Sequence, residues 1–128
     1  MAEETKKKKI LLVEDDVFMV ELLAKDLETA GYEVIVAKNG REGVKKFEES
    51  APDIVLLDLL LPDQNGFETL RQIRRHPNGP STKTMILSNI AEGPDMEEAK
   101  RLGVIEYLVK ANFTLQEIVK KIQEVLAK

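Results

Sequence analysis

Three acidic residues in a row, Glu14, Asp15 and Asp16, follow directly on the aliphatic run Ile10–Val13. A single aspartate, Asp58, follows a second such run, Ile54–Leu57. Ser88 follows a third, Met85–Leu87, and Lys110 follows a fourth, Ile105–Val109. Carboxylates held a few ångströms apart repel one another and tend to raise one another's pKa. A fold that gathers them needs an offsetting charge. A hard divalent cation supplies it, and Mg²⁺ suits a site with few carboxylates, a carbonyl and retained waters. Lys110 adds a fixed positive charge that can pair with Asp58 or with an incoming anion.

Each residue has a plainer use when taken alone. An acid after a strand often caps the next helix, where the dipole welcomes it, and Asp16 is read that way. Ser88 alone reads as a loop hydroxyl and Lys110 alone as a surface lysine. The combination differs, because the polar types at successive positions complement one another. The run Val34–Ala37 serves as a control: Lys38 and Asn39 follow it without an acid, and Asn39 reads as a helix cap.

What positions these residues is an alternation of two periodicities. Short runs rich in Val and Ile read as buried strands: Ile10–Val13, Val34–Ala37, Ile54–Leu57, Met85–Leu87 and Ile105–Val109. Amphipathic stretches separate them. Val17, Val20, Leu23, Ala24 and Leu27 recur at helical spacing, and Gly31 closes that helix. Val44 and Phe47 mark a second helix over 40–50, and Phe67, Leu70, Ile73 and Arg74 mark a third. Pro94 to Leu102 forms a fourth, with Pro in its first turn and Gly103 beyond its end. The last starts at a capping box, Thr114 with Glu117, and carries Ile118, Ile122 and Val125 on one face. Strands apolar on both faces belong in a parallel sheet covered on both sides, joined by right-handed crossovers. The expected fold is α/β and doubly wound, and such folds bind ligands outside the carboxyl ends of their strands. That rim is where the acids, Ser88 and Lys110 fall.

The bulk composition agrees. A chain of 128 residues with 43% apolar and 33% charged side chains is globular and one domain in size. It has no cysteine, which removes disulfides, thiolate metal sites and thiol nucleophiles together and fits a reducing, cytoplasmic setting. A net charge of −4 makes direct nucleic-acid or anionic-lipid binding a poor default. The basic run Lys6–Lys9 reads as part of a solvated tail over residues 1–8, with the domain over 9–128. The apolar stretch after it is too short for secretion or membrane spanning.

The segments LLVEDD (11–16), PDIVLLDLLLPDQNGFE (52–68), MILSN (85–89) and EYLVKA (106–111) together resemble the landmark regions of response-regulator receiver domains, in order and in spacing. The resemblance covers the chain beyond the lysine run. It implies a flavodoxin-like (βα)5 fold with sheet order 2-1-3-4-5. It also implies a phosphoacceptor signalling domain, not an enzyme, that assists its own phosphorylation and dephosphorylation in a two-component system or phosphorelay.

By that resemblance Asp58 is the phosphoacceptor. Asp15, Asp58 and the Leu60 carbonyl hold Mg²⁺ or Mn²⁺ directly, and Glu14 acts through a coordinated water. Lys110 and the metal neutralise the transferring phosphoryl oxygens, and the Ser88 hydroxyl swings toward them. Tyr107 turns inward on activation, with helix 4, strand 5 and helix 5 as the readout surface; the residue alone reads as a half-buried tyrosine with a wet hydroxyl. The implied partner is a sensor histidine kinase or a His-containing phosphotransfer protein. The implied state is a monomer or weak dimer, and the sequence does not identify the downstream target. No output module is expected past the last helix.

Several positions depart from the family's pattern. Ala111 stands where receivers usually carry proline after a cis bond. A cis bond before a non-proline residue costs about 2.5–4 kcal/mol, so a trans Lys110–Ala111 bond is expected. Asn89 replaces a small residue and is expected to narrow access to the acyl phosphate. Leu60 and Ile90 occupy two positions that tune hydrolysis. Both are apolar and poor at orienting water, which predicts a long-lived phosphorylated state. Pro62 and Gly66 shape the loop after Asp58. His76, the sole histidine, is expected to be exposed and neither a metal ligand nor a phosphodonor. Rival readings are an aspartyl phosphohydrolase, which wants a second Asp where Leu60 stands, and an FMN binder, whose phosphate the three acids would repel. A pseudo-receiver, an interaction module without phosphorylation, is the third.

Overall fold

Along the first strand, β1 (Lys9–Val13), side chains alternate between two faces, and both faces are covered. Ile10 and Leu12 point to one side, Leu11 and Val13 to the other. The same alternation runs through β3 (Ile54–Leu57), whose four residues are all buried. A strand apolar on both sides has no stable place except between two layers of helix. The computed structural model, which describes residues 7–90 and 92–128, puts it there.

The remaining elements are α1 (Val17–Thr29), β2 (Glu33–Ala37), α2 (Gly40–Ser50), α3 (Gly66–Arg75), β4 (Lys83–Ser88), α4 (Gly93–Arg101), β5 (Glu106–Val109) and α5 (Leu115–Ala127). All strand pairs are parallel, and the sheet order is β2-β1-β3-β4-β5. Order and class match the expectation. On one face Ile10, Leu12, Ile54, Leu56 and Leu87 pack with Leu23 and Leu27 of α1 and Ile118 and Ile122 of α5. On the other, Leu11, Val13, Val55 and Leu57 pack with Phe47 of α2 and Leu70 and Ile73 of α3. Each such side chain, fully buried, stabilises by about 1.5–3 kcal/mol before conformational entropy is subtracted.

Helix boundaries follow local chemistry. Asp16 caps α1, its Oδ1 accepting the Met19 N–H, and Asn39 caps α2 by accepting the Glu42 N–H. Thr114 and Glu117 form the expected reciprocal capping box on α5. Gly103 has φ +77° just past α4, a conformation glycine adopts without steric cost. β4 begins at Lys83, two positions before its aliphatic run, because Lys83 and Thr84 pair with Ile54 and Val55. β5 starts at Glu106, leaving Ile105 44% exposed.

One expectation about the fold needs correction. His76 is half-buried, not exposed: its ring meets Phe47 edge-on with centroids 5.4 Å apart, and its Nδ1 accepts the Asn78 N–H. The expected tail begins in residues 1–6, which lie outside the described residues; Lys7 and Lys8 are exposed ahead of β1. No helix among the described residues is long and apolar enough to cross a membrane.

Candidate functional site: an acidic pocket at the carboxyl rim of the sheet

Backbone pairing carries two of the acids one step past their strands. The Glu14 N–H donates to the Ala37 carbonyl at 2.9 Å, and the Asp58 N–H donates to the Val13 carbonyl at 3.1 Å. Parallel pairing of β1 with β2 and β3 therefore sets Glu14 and Asp58 on one rim. Both are nearly inaccessible, 2% and 6% exposed. Asp15 joins them from the surface, and carboxylate oxygens of Glu14, Asp15 and Asp58 all lie within 4.8 Å of one another.

From β5, Lys110 reaches across, its Nζ 2.6 Å from Glu14 Oε1 and 3.0 Å from Asp58 Oδ2. The remaining oxygens also have partners. Asp58 Oδ1 accepts the Leu60 N–H and Glu14 Oε2 accepts the Asp16 N–H. A buried carboxylate without such bonds would cost several kcal/mol (about that per ion).

The charges are nonetheless unbalanced, with three carboxylates around one ammonium. Burial pushes the Glu14 carboxyl above its usual range, and the Asp58 charge adds to that push. The bonds from Lys110 and the Asp16 N–H only partly offset it. Burial also works against the Lys110 ammonium, yet its bonds to Glu14 and Asp58 win and hold its pKa above that of a free lysine. A rim of hard oxygen donors with excess negative charge fits Mg²⁺ or Mn²⁺ by donor type and by spacing. These three carboxylates are the side-chain donors that the pocket offers such an ion.

The other expected residues sit nearby. Ser88 ends β4, is fully buried, and its Oγ accepts the Ile90 N–H at 3.4 Å. Tyr107, on β5, is half-buried, and its hydroxyl donates to the Ile90 carbonyl at 2.5 Å. That hydroxyl is therefore protein-bonded, a correction to the wet hydroxyl of the plain reading. Burial, with Asp95 and Asp58 facing it, raises the phenol pKa. Ile90 thus links Ser88 to Tyr107 through its backbone, a role that its side chain gives no hint of.

No cis peptide occurs among the described residues, so the Lys110–Ala111 bond is trans as expected. Lys110–Asn112 forms a single 3-10 turn, and the Ala111 N–H donates to Asn89 Oδ1 at 3.2 Å.

The loop after Asp58 is pinned at both ends. Gly66 N–H donates to the Leu59 carbonyl, and a Cβ on Gly66 would run into the Asp58 carbonyl. Asp63 reaches the α2 N-terminus, where Oδ1 accepts the Gly40 N–H at 2.8 Å and Oδ2 the Arg41 N–H at 2.9 Å. The sequence reading missed Asp63. Its only signal is an acid in a loop rich in Pro, Asn and Gly, which reads equally well as a turn residue.

Comparison with known proteins points to one family. The family described as response regulator receiver domain matches residues 10–123. The chemotaxis protein CheY of Thermotoga maritima is 36% identical over 104 residues, covering 80% of this chain and 85% of that protein. The transcriptional regulatory protein CpxR homolog of Haemophilus influenzae is 39% identical over 118 residues, 92% of this chain, which spans about half (50%) of that longer protein. Among solved structures, the HemR receiver domain of Leptospira biflexa in its non-phosphorylated form superposes with a TM-score of 0.88 at 33% identity, covering 95% of this chain and 96% of that one. The alternating burial of the sheet, the acidic rim with its lysine and these matches lead to one assignment: the chain belongs to the response regulator receiver domain family.

Proposed function

We propose that the chain is the phosphoacceptor of a two-component system or phosphorelay, and that Asp58 receives a phosphoryl group from a phosphohistidine on a partner protein. An Asp58 carboxylate oxygen attacks phosphorus and a P–O bond forms. The P–N bond to the donor imidazole breaks, and the imidazole leaves with the bonding pair. Catalysis in this chemistry is mostly positioning and charge stabilisation. Lys110, already held at Asp58 Oδ2, supplies a fixed positive charge for the transferring oxygens. A bound Mg²⁺ would neutralise charge on the same oxygens, held by Asp15, Asp58 and the Leu60 carbonyl, with Glu14 acting through water. Ser88 exchanges its bond with the Ile90 N–H for one to the phosphoryl group. Tyr107 follows, shifting the surface of α4, β5 and α5 and biasing a two-state equilibrium.

The observation that carries this reading is the Lys110 ammonium clamped between two nearly inaccessible carboxylates, with a third within reach. A protein donor is supported by exposed apolar residues on α1, the helix that directly follows Glu14–Asp16, where Phe18 is 79% and Leu22 52% exposed. Residues 9–128 make up the signalling unit with 1–8 as its tail. It works in the cytoplasm as a monomer or weak dimer, without touching nucleic acid or membrane itself.

The test is incubation with phosphoramidate and Mg²⁺ followed by intact-mass measurement. One phosphoryl group should be gained, and the gain should be absent when EDTA replaces Mg²⁺ and absent in Asp58→Asn. A chain that never gains it is an interaction module, and the proposal fails.

A further inference from the structure

The proposed mechanism gives no part to Asn89 or Ala111, although the structure bonds them to each other. Asn89 Oδ1 accepts the Ala111 N–H at 3.2 Å and so joins the segment after β4 to the turn after β5. A proline at 111 would have no N–H to offer; alanine does. The turn is weakly closed on its own, by a Phe113 N–H donating to the Lys110 carbonyl at 3.3 Å. The residues just before each partner carry the site's chemistry. Ser88 precedes Asn89, and Lys110, with its Nζ at 3.0 Å from Asp58, precedes Ala111. Among the described residues, neither Asn89 nor Ala111 bonds to the three acids.

We propose that Asn89 is a positioning residue for phosphoryl transfer. Through the Ala111 N–H it ties the Lys110 turn to the Ser88 segment, so that ammonium and hydroxyl meet the phosphoryl group as one unit. The inference rests on the proposed function and adds to it a residue that acts at one remove. It also opposes a purely steric role: a side chain that merely narrows access should, when shortened, speed the reaction.

The experiment compares phosphorylation rates with phosphoramidate and Mg²⁺ for wild type, Asn89→Ala, Ala111→Pro and the double variant. A solvent-exposed hydrogen bond of this kind is worth a factor of about three. Asn89→Ala should slow the reaction about that much while Mg²⁺ affinity, read by NMR titration, stays unchanged. When Ala111→Pro has already removed the donor, Asn89→Ala should change nothing further. Faster reaction, no change, or equal slowing in both backgrounds would overturn the role. Amide exchange at Ala111 gives a second reading that needs no proline variant. Asn89→Ala should speed it, and unaltered exchange also defeats the inference. A wild type that takes up no phosphoryl group defeats the proposed function itself. A reactive wild type matched by Asn89→Ala defeats only the part given to Asn89.

Discussion

Beside the acceptor, the Leu60 side chain stands 62% exposed and offers no group to hold an attacking water. Ile90 is half-buried and equally apolar. An acyl phosphate on Asp58 should therefore hydrolyse slowly. In a Leu60→Asn, Ile90→Glu variant, decay followed by mass spectrometry should quicken by up to about tenfold, the worth of one well-placed hydrogen bond. An unaltered half-life contradicts the argument. Glu14, Asp58 and Lys110 were legible as a set because each directly follows an aliphatic run, with Asp15 next after Glu14, and strand pairing carries Glu14 and Asp58 one residue past their strands. The partners of Asn89, Asp63 and His76 were not legible. Their bonds and contacts join segments whose proximity only the folded sheet creates, as with Asn89 and Ala111 or Asp63 and Gly40.

Among the elements, α2 takes its N-terminal N–H groups' partners from two places, its own Asn39 and the distant Asp63. Slight desolvation works upward on the exposed Asp63 carboxyl, but the N–H groups of Arg41 and Gly40 outweigh it and hold the pKa below the usual aspartate value. A depressed folded-state pKa contributes stability above the unfolded value, near pH 4 (about 3.9), and loses it as pH falls through the folded value. Asp63→Asn should therefore cost at most about 0.5 kcal/mol at pH 7, because water screens an exposed carboxylate, and give a shallower loss of stability on acidification, read by urea unfolding across pH. A parallel pair of acid limbs for the two proteins would refute this. The type and order of the elements could be read from periodicity and caps, since Asn39 and the Thr114–Glu117 box announce themselves locally. The extra length of β4 could not. Lys83 and Thr84 are strand residues only because β3 lies alongside them.

Taken whole, the molecule carries a concentration of negative charge at one rim of an otherwise well-buried sheet, which is a cost set against a binding function. Without divalent cation, Asp15→Asn should raise the melting temperature by a few degrees (about 4 °C per kcal/mol relieved). With Mg²⁺ at a hundredfold excess over its Kd, wild type should gain about 2.7 kcal/mol and the variant markedly less. Equal responses of the two proteins to Mg²⁺ would exclude Asp15 from the cation site. The direct measurement of the central claim is chemical mapping of the acceptor. After phosphoramidate treatment, borohydride reduction converts an aspartyl phosphate to homoserine, and peptide sequencing by mass spectrometry locates it. The account predicts homoserine at position 58 and nowhere else. Homoserine at Asp15 or another carboxylate, with Asp58 intact, would contradict it.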